Sequence, residues 1–194
     1  MYKKLLVDVI NKEISGLELL KDSINNDIEE ICNLISSCKG KIIFTGIGKS
    51  GHIASKLAAT YSSLGISSIF VHSTEGLHGD LGTITNQDIV ICLSNSGETI
   101  EVVNMAKFLK DRNCVTIAFT SKSNSSLSRI CDYKLVYPFK KEADYFNLAP
   151  TTSAITMLSL GDAIGISISK TRGFTKQEFL TFHPGGEIGK TKMS

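Results

Sequence analysis

Two stretches of this 194-residue chain set glycines and hydroxyls at the spacing that can hold a phosphate. The first is Thr45-Gly46-Ile47-Gly48-Lys49-Ser50-Gly51-His52, directly after a short apolar run and opening a helix. Glycines allow positive φ and close backbone approach, and free N–H groups at a helix start favour an anion. Gly46, Gly48 and Gly51 also satisfy the G-x-G-x-x-G dinucleotide fingerprint. The acidic residue that fingerprint needs about 20 positions on is missing, since the next strand ends at Val71-His72 and Glu75 lies too far along. A Walker loop fails as well, because Ile43 stands where its first glycine belongs. What remains, a glycine turn carrying Gly48, Lys49 and Ser50, suits a compact phosphorylated molecule; the plainer alternative is a tight strand-to-helix turn with a surface lysine.

The second stretch is Ser94-Asn95-Ser96-Gly97-Glu98-Thr99, again between a predicted strand and helix. Its three hydroxyls and glycine can give a phosphate both backbone and side-chain donors. Capping by Ser96 or Thr99 is the alternative, but a cap does not need all three hydroxyls. Other reactive groups fall in three loops: Glu75–Gly82 with His78 among glycines, Lys140–Asp144, and Phe182-His183-Pro184-Gly185-Gly186. His52 and His72 read as structural. No His-x-x-x-His or similar spacing marks a metal site.

These residues need a frame, and the composition bounds it. Hydrophobic residues are 42% and charged residues 21%, ordinary for one packed domain of this length. A net charge of +2 with scattered Lys and Arg gives no case for a nucleic-acid partner. No apolar run approaches the ~18 residues of a membrane span, and the amino terminus meets Asp8 and Glu13 too early for a signal peptide. Five cysteines without a CxxC pair fit a reducing, cytoplasmic compartment with neither disulfides nor a cysteine metal site.

Residues 1–38 carry an apolar stripe at helical spacing through Leu5, Leu6, Val9, Ile10, Leu17, Leu20, Ile24, Ile28, Ile31 and Ile35. Gly16 marks a bend or break between two helices. The stripe faces either the core or another subunit. From residue 39 the texture alternates. Strands are predicted at Lys41–Thr45, Ser68–His72, Asp88–Leu93, Val115–Thr120 and Tyr133–Val136, with helices at about Gly51–Leu64, to about Lys110, near Ser125–Ile130, over Pro150–Lys170 and over Lys176–Phe182. The expected fold is α/β: a single domain with an N-terminal helical segment over 1–38 and a core over 39–190. That core is an open five-stranded parallel sheet flanked by helices.

In order and spacing, TGIGKSGHIASKLAATYSSLG, EGLHGDLG, SNSGET, KEA…LAPTTS and RGFTKQEFLTFHPGGEIGK resemble the arabinose-5-phosphate isomerases of the sugar isomerase (SIS) domain family. The resemblance implies a flavodoxin-like sheet, a homotetramer with sites at subunit interfaces, and no organic cofactor. It implies interconversion of D-ribulose 5-phosphate and D-arabinose 5-phosphate toward 3-deoxy-D-manno-octulosonate (Kdo), for lipopolysaccharide or capsule. By position, Ser94, Ser96 and Thr99 would hold the phosphate, with Asn95 and Gly97 shaping the loop. Lys49, His78, Glu98, Glu142 and His183 would be the functional polar set, His183 being open to donation by a neighbouring subunit. Two departures stand out. The sequence stops at Ser194, where many members continue into paired CBS domains, so a short form is expected. Asp144-Tyr145-Phe146-Asn147 replaces the usual Cys-Pro-Leu-Gly, which bears on fine specificity.

Aldose–ketose isomerisation needs a base near C1 and C2, a cation for the developing oxyanion and a group to open the sugar ring. Glu98, beside the phosphate loop, is the expected base, its pKa brought toward neutrality by burial. His183 would open the ring or act as partner acid/base, and exchanging these two roles fits almost as well. Lys49 would steady negative charge, with His78 and Glu142 orienting hydroxyls or assisting proton shuttling. The competing readings are another SIS phosphosugar isomerase (6-phospho-3-hexuloisomerase or phosphoheptose isomerase) and a non-catalytic sugar-phosphate sensor.

Overall fold

A computed structural model describes residues 1–185. Two helices come first, α1 (Tyr2–Asp22) and α2 (Asp27–Ser36). The core then runs β1 (Ile42–Gly46), α3 (Gly48–Ser63), β2 (Ser68–His72), a short α4 (Ser73–Gly76) and a 3-10 turn at Asp80–Thr83. It continues through β3 (Ile89–Leu93), α5 (Ile100–Asp111), β4 (Val115–Thr120), α6 (Ser126–Ile130), β5 (Tyr133–Val136), α7 (Thr152–Thr171) and α8 (Lys176–Phe182). The strands form one five-stranded sheet in the order β2-β1-β3-β4-β5, with every pairing parallel. The predicted strands and fold class are therefore present, while the last segment of the expected core, residues 186–190, lies outside the described residues.

β1 and β3 are buried at every position, as a parallel sheet covered on both faces requires. Their side chains alternate between two cores. Ile42, Phe44, Ile91 and Leu93 face a cluster with Leu57 and Tyr61 of α3 and Leu160 and Ile164 of α7. Ile43, Val90 and Cys92 face Val102, Met105 and Leu109 of α5. The five cysteines are free thiols, and Cys92, Cys114 and Cys131 fill core positions as small hydrophobes.

Three expectations need correction. Gly16 does not break the first helix, which runs unbroken to Asp22. Gly16 instead lies against Thr152 of α7, where a Cβ would run into the threonine methyl. The break falls at 23–26, where Asn25 Oδ1 accepts from Asp27 N at 3.0 Å. The stripe also divides: Leu20, Ile31 and Ile35 are buried, but Leu5, Leu6, Val9 and Ile10 are exposed. Finally, α7 is long and apolar enough, by length and composition, to cross a membrane. Here it is a core helix, more than half buried against α1 and α3.

α7 reaches the sheet because two glycines let α3 approach. A Cβ on Gly161 would meet Leu57, and one on Gly165 would sit 2.5 Å from the Tyr61 ring. Tyr61 cannot give way: it is 1% exposed and its hydroxyl donates to Gly161 O at 3.1 Å. Gly165→Val should therefore lower stability by about 1–3 kcal/mol in urea unfolding, the usual cost of overpacking. An unchanged midpoint would contradict this packing.

At the opposite sheet edge, buried Asp88 ties the starts of β1 and β3. Its carboxylate accepts from Lys41 N at 2.6 Å and Thr85 N at 2.7 Å, and faces Lys41 Nζ at 3.3 Å. Burial alone pushes this carboxyl up, but the Lys41 and Thr85 hydrogen bonds outweigh it and hold the pKa below its ordinary value. A depressed carboxylate contributes stability above its unfolded pKa of about 3.9 and loses it as pH falls through the folded value. Asp88→Asn should therefore be less stable than wild type at pH 7, and thermal melts should show the gap closing below about pH 4. A constant gap would contradict the assignment.

Candidate active site

In a parallel sheet the carboxyl ends of the strands share one edge, and ligands bind where the strand order reverses. Here the reversal lies between β1 and β3, because β2 and β4 flank that pair on opposite sides. The two sequence-predicted phosphate loops leave the sheet at this point. Gly46 ends β1 against β3, where a Cβ would come 3.2 Å from Leu93 O and 3.3 Å from Gly51 N. Gly48 opens α3 at φ +55, three residues before the predicted start, so Lys49 and Ser50 occupy the helix's first turn. Ile47, at the cap position, offers no side-chain cap. Lys49 is exposed and Ser50 half-buried.

The second loop is built from inside. Ser94 is 2% exposed; its N–H donates to Phe119 O at 3.1 Å and its Oγ accepts from Gly97 N at 3.0 Å. Ser94 Oγ also lies 2.9 Å from Thr99 Oγ1. Thr99 holds the cap position of α5 without a side-chain cap bond, which removes the plain capping alternative for that residue. Ser96 is exposed, and its Oγ accepts from Glu98 N at 3.2 Å. Gly97 has φ +66, and a Cβ there would run into the Ser125 side chain. A groove lined by Ser96, Glu98, Ser121, Lys122, Asn124 and Ser125 opens beside the loop.

Glu98 does not have the environment expected of it. It is exposed, and Oε1 accepts from Ser126 N, the first residue of α6, at 2.8 Å. The Ser126 side chain, then its backbone N–H, and more weakly Arg129, hold this carboxyl below the usual range rather than near neutrality. Glu101 is not among the functional residues to which the sequence points. The structure makes it half-buried one turn beyond Glu98, in no hydrogen bond or ion pair among the described residues. The signal was present as a second carboxylate three positions along from the first.

Glu142 is 6% exposed, at the N-terminus of α7. Its carboxylate accepts from Thr151 N at 2.9 Å, Ser153 N at 3.0 Å, Thr151 Oγ1 at 3.3 Å and Ser153 Oγ. The following turn is equally built. Asn147, at φ +57, accepts from Glu142 N at 2.7 Å, and Asp144 accepts from Leu148 N and Ala149 N. Tyr145, Phe146 and Leu148 project from it into solvent.

His78 is exposed between α4 and the 3-10 turn. Its segment is tied to the switch point by a buried Thr45 Oγ1···Ser73 Oγ contact of 2.9 Å. His52 is exposed on α3, and His72 is half-buried, its Nδ1 without a partner among the described residues. His183 is the residue the fold does not bring in. It follows α8, with Nδ1 2.8 Å from Phe179 O and its ring stacked on Phe179 at 4.1 Å. α8 comes after α7, whose 20 residues span about 30 Å from the phosphate-loop edge. Phe174 marks that end of the molecule by lying against Gly65, just past α3. Gly186 lies outside the described residues.

The SIS domain family profile matches residues 34–167. Over 182 residues the chain is 42% identical to the arabinose 5-phosphate isomerase KdsD of Yersinia pestis, covering 94% of this chain and 56% of that protein. It is 45% identical to the uncharacterized protein RP505 of Rickettsia prowazekii, covering 97% of this chain and 59% of that one. The chain thus spans somewhat over half the length of these curated relatives. Among solved structures, the c3406 protein of E. coli CFT073, in complex with arabinose 5-phosphate, superposes with a TM-score of 0.93 at 40% identity, covering 94% of this chain and 97% of that chain. A switch-point site with two hydroxyl- and glycine-rich loops on this sheet, together with these matches, places the chain in the SIS domain family.

Proposed function

We propose that this chain is an aldose–ketose isomerase interconverting D-arabinose 5-phosphate and D-ribulose 5-phosphate through a cis-enediol(ate), supplying Kdo synthesis. The observation that carries the reading is the phosphate-shaped Ser94–Thr99 loop at the switch point, in a chain 42% identical to an arabinose 5-phosphate isomerase. The phosphate sits on this loop and the start of α5, where hydroxyls and free N–H groups converge. Gly48, Lys49 and Ser50 face the substrate from α3, and the lysine ammonium neutralises the enediolate oxygen. A carboxylate takes the C2 proton of the open aldose and delivers a proton to C1, while a proton passes from O2 to O1.

Glu98 is committed to Ser126 and has a depressed pKa, so it is the weaker base; Glu101, one turn on, is unengaged among the described residues. Glu142 holds the start of α7 and the strap before it, and His78 orients sugar hydroxyls. His183 opens the ring in a site of a second copy, since in its own chain it lies at the far end of α7. The assembly is a homotetramer. Exposed Leu5, Leu6, Ile10 and Ile14 on α1 supply an apolar face for it. The compartment is the cytoplasm, consistent with five free thiols.

Turnover of D-arabinose 5-phosphate against hexulose 6-phosphate and sedoheptulose 7-phosphate tests the substrate class. Preference for the pentose phosphate is expected. Preference for either of the others moves the reading to the corresponding isomerase, and binding without any turnover moves it to a sensor. Glu101→Gln should lower kcat by about 100-fold or more, the low end for losing a general base, with a smaller loss for Glu98→Gln. The reverse order would return proton transfer to Glu98. Inactive His183→Ala and Glu101→Gln chains, mixed and allowed to exchange subunits, should regain activity in hybrid sites. No recovery would contradict a shared site.

A further inference from the structure

The Ser94–Thr99 loop leans on one buried phenol. Tyr137, just past β5, is 0% exposed, and its hydroxyl donates to Asn95 Oδ1 at 2.8 Å. Its own position is over-determined: its N–H donates to Thr120 O at 3.1 Å, and its ring meets Phe119 edge-on at 5.7 Å. The backbone of Asn95 is fixed from the same side. Its carbonyl accepts from Ser121 N at 3.1 Å, Thr120 Oγ1 at 3.0 Å and Ser121 Oγ at 2.9 Å. With the carbonyl end of the side-chain amide taken, the NH2 end is left as the free end. Among the described residues it donates to nothing. Asn95 is half-buried, so that end is reachable from solvent beside the exposed Ser96.

Resting on the phosphosugar reading above, we propose that Tyr137 is a positioning residue: it holds the Asn95 amide so that its NH2 group, rather than its carbonyl, is presented to the substrate phosphate. An asparagine beside a bound anion has two orientations, one donating and one repelling, and nothing in its own sequence chooses between them. A phenol can donate to the carbonyl end only while it keeps its proton. Burial first, and then the nearby Glu142 carboxylate, push the Tyr137 hydroxyl far above its ordinary value, so it stays a donor at any working pH. The orientation is therefore set before substrate arrives, which removes an ordering cost from binding.

The test separates positioning from support. Tyr137→Phe keeps the ring and deletes the donor. It should raise KM for the sugar phosphate, and the Kd for inorganic phosphate measured by calorimetry, by about 3–10-fold, as loss of one hydrogen bond implies. Its kcat should stay within about twofold, because the missing group acts on ground-state and transition-state binding alike. Asn95→Asp keeps an acceptor for Tyr137 but replaces the donor with an anionic oxygen, and should lose phosphate binding outright. In an Asn95→Ala background, Tyr137→Phe should add nothing further to KM, since partners acting as one unit are not additive. A lower melting temperature with unchanged KM and phosphate Kd would make Tyr137 a structural tether and overturn the proposal. An undiminished effect in the Asn95→Ala background would overturn it too. Wild-type protein that binds neither inorganic nor sugar phosphate would bring down the phosphosugar reading, and this proposal with it.

Discussion

The site depends on how closely two backbones touch. Where β1 ends, Gly46 lies so close to the Leu93 carbonyl of β3 and the Gly51 amide of α3 that a Cβ would sit 3.2–3.3 Å from both and press these backbones apart by a few tenths of an ångström. That contact lets adjacent strands end level while their chains depart to opposite faces of the sheet. α3 covers one face with α7, and α5 covers the other. The crevice between their amino ends is where the proposed phosphate would meet the N–H groups at two helix starts. A larger residue at position 46 would separate the strands at the point where the two loops must converge.

Much of this was legible in the sequence, and the reasons are specific. Apolar runs such as KIIFT and DIVICL, without polar alternation, fit strands covered on both sides, so the sheet and its helices followed from pattern. The two loops were visible because glycines and hydroxyls concentrate where a strand gives way to a helix. The environment of each carboxylate was not legible. Glu98 and Glu101 are both acidic residues near a helix start, and only the packing of α6 against the loop shows that one is tied to Ser126 and the other is not. Glu142 likewise reads as a surface residue among lysines, yet it is buried because the first turn of α7 supplies donors from 9 and 11 residues further along the chain. Gly16 misled for a related reason: a glycine in a helix signals a break unless a partner helix needs the space, and that partner, Thr152, lies in the last third of the sequence.

Two features of the single chain read as halves of something larger. α1 carries its apolar stripe beyond the core, leaving Leu5, Leu6, Ile10 and Ile14 in solvent. His183 is held firmly by Phe179 at the end of the molecule remote from the phosphate loop. The proposed homotetramer accounts for both, with α1 supplying an apolar face between copies and His183 serving the site of a second copy. The turn at Asp144–Leu148, which carries the exposed Tyr145 and Phe146, stands at the phosphate-loop edge and has its geometry fixed by Asn147 and Asp144. Its residues stand where the resemblance leads one to expect Cys-Pro-Leu-Gly, and hydrogen bonds from Leu148 N and Ala149 N to Asp144 close the turn.

The most direct measurement is incubation of the purified protein with D-arabinose 5-phosphate in deuterated water, followed by NMR. The account predicts D-ribulose 5-phosphate carrying deuterium at C1, because the proton lifted from C2 passes through a base that exchanges with solvent. Unchanged substrate, with neither product nor exchange at C2, would contradict an enediol isomerase at this site.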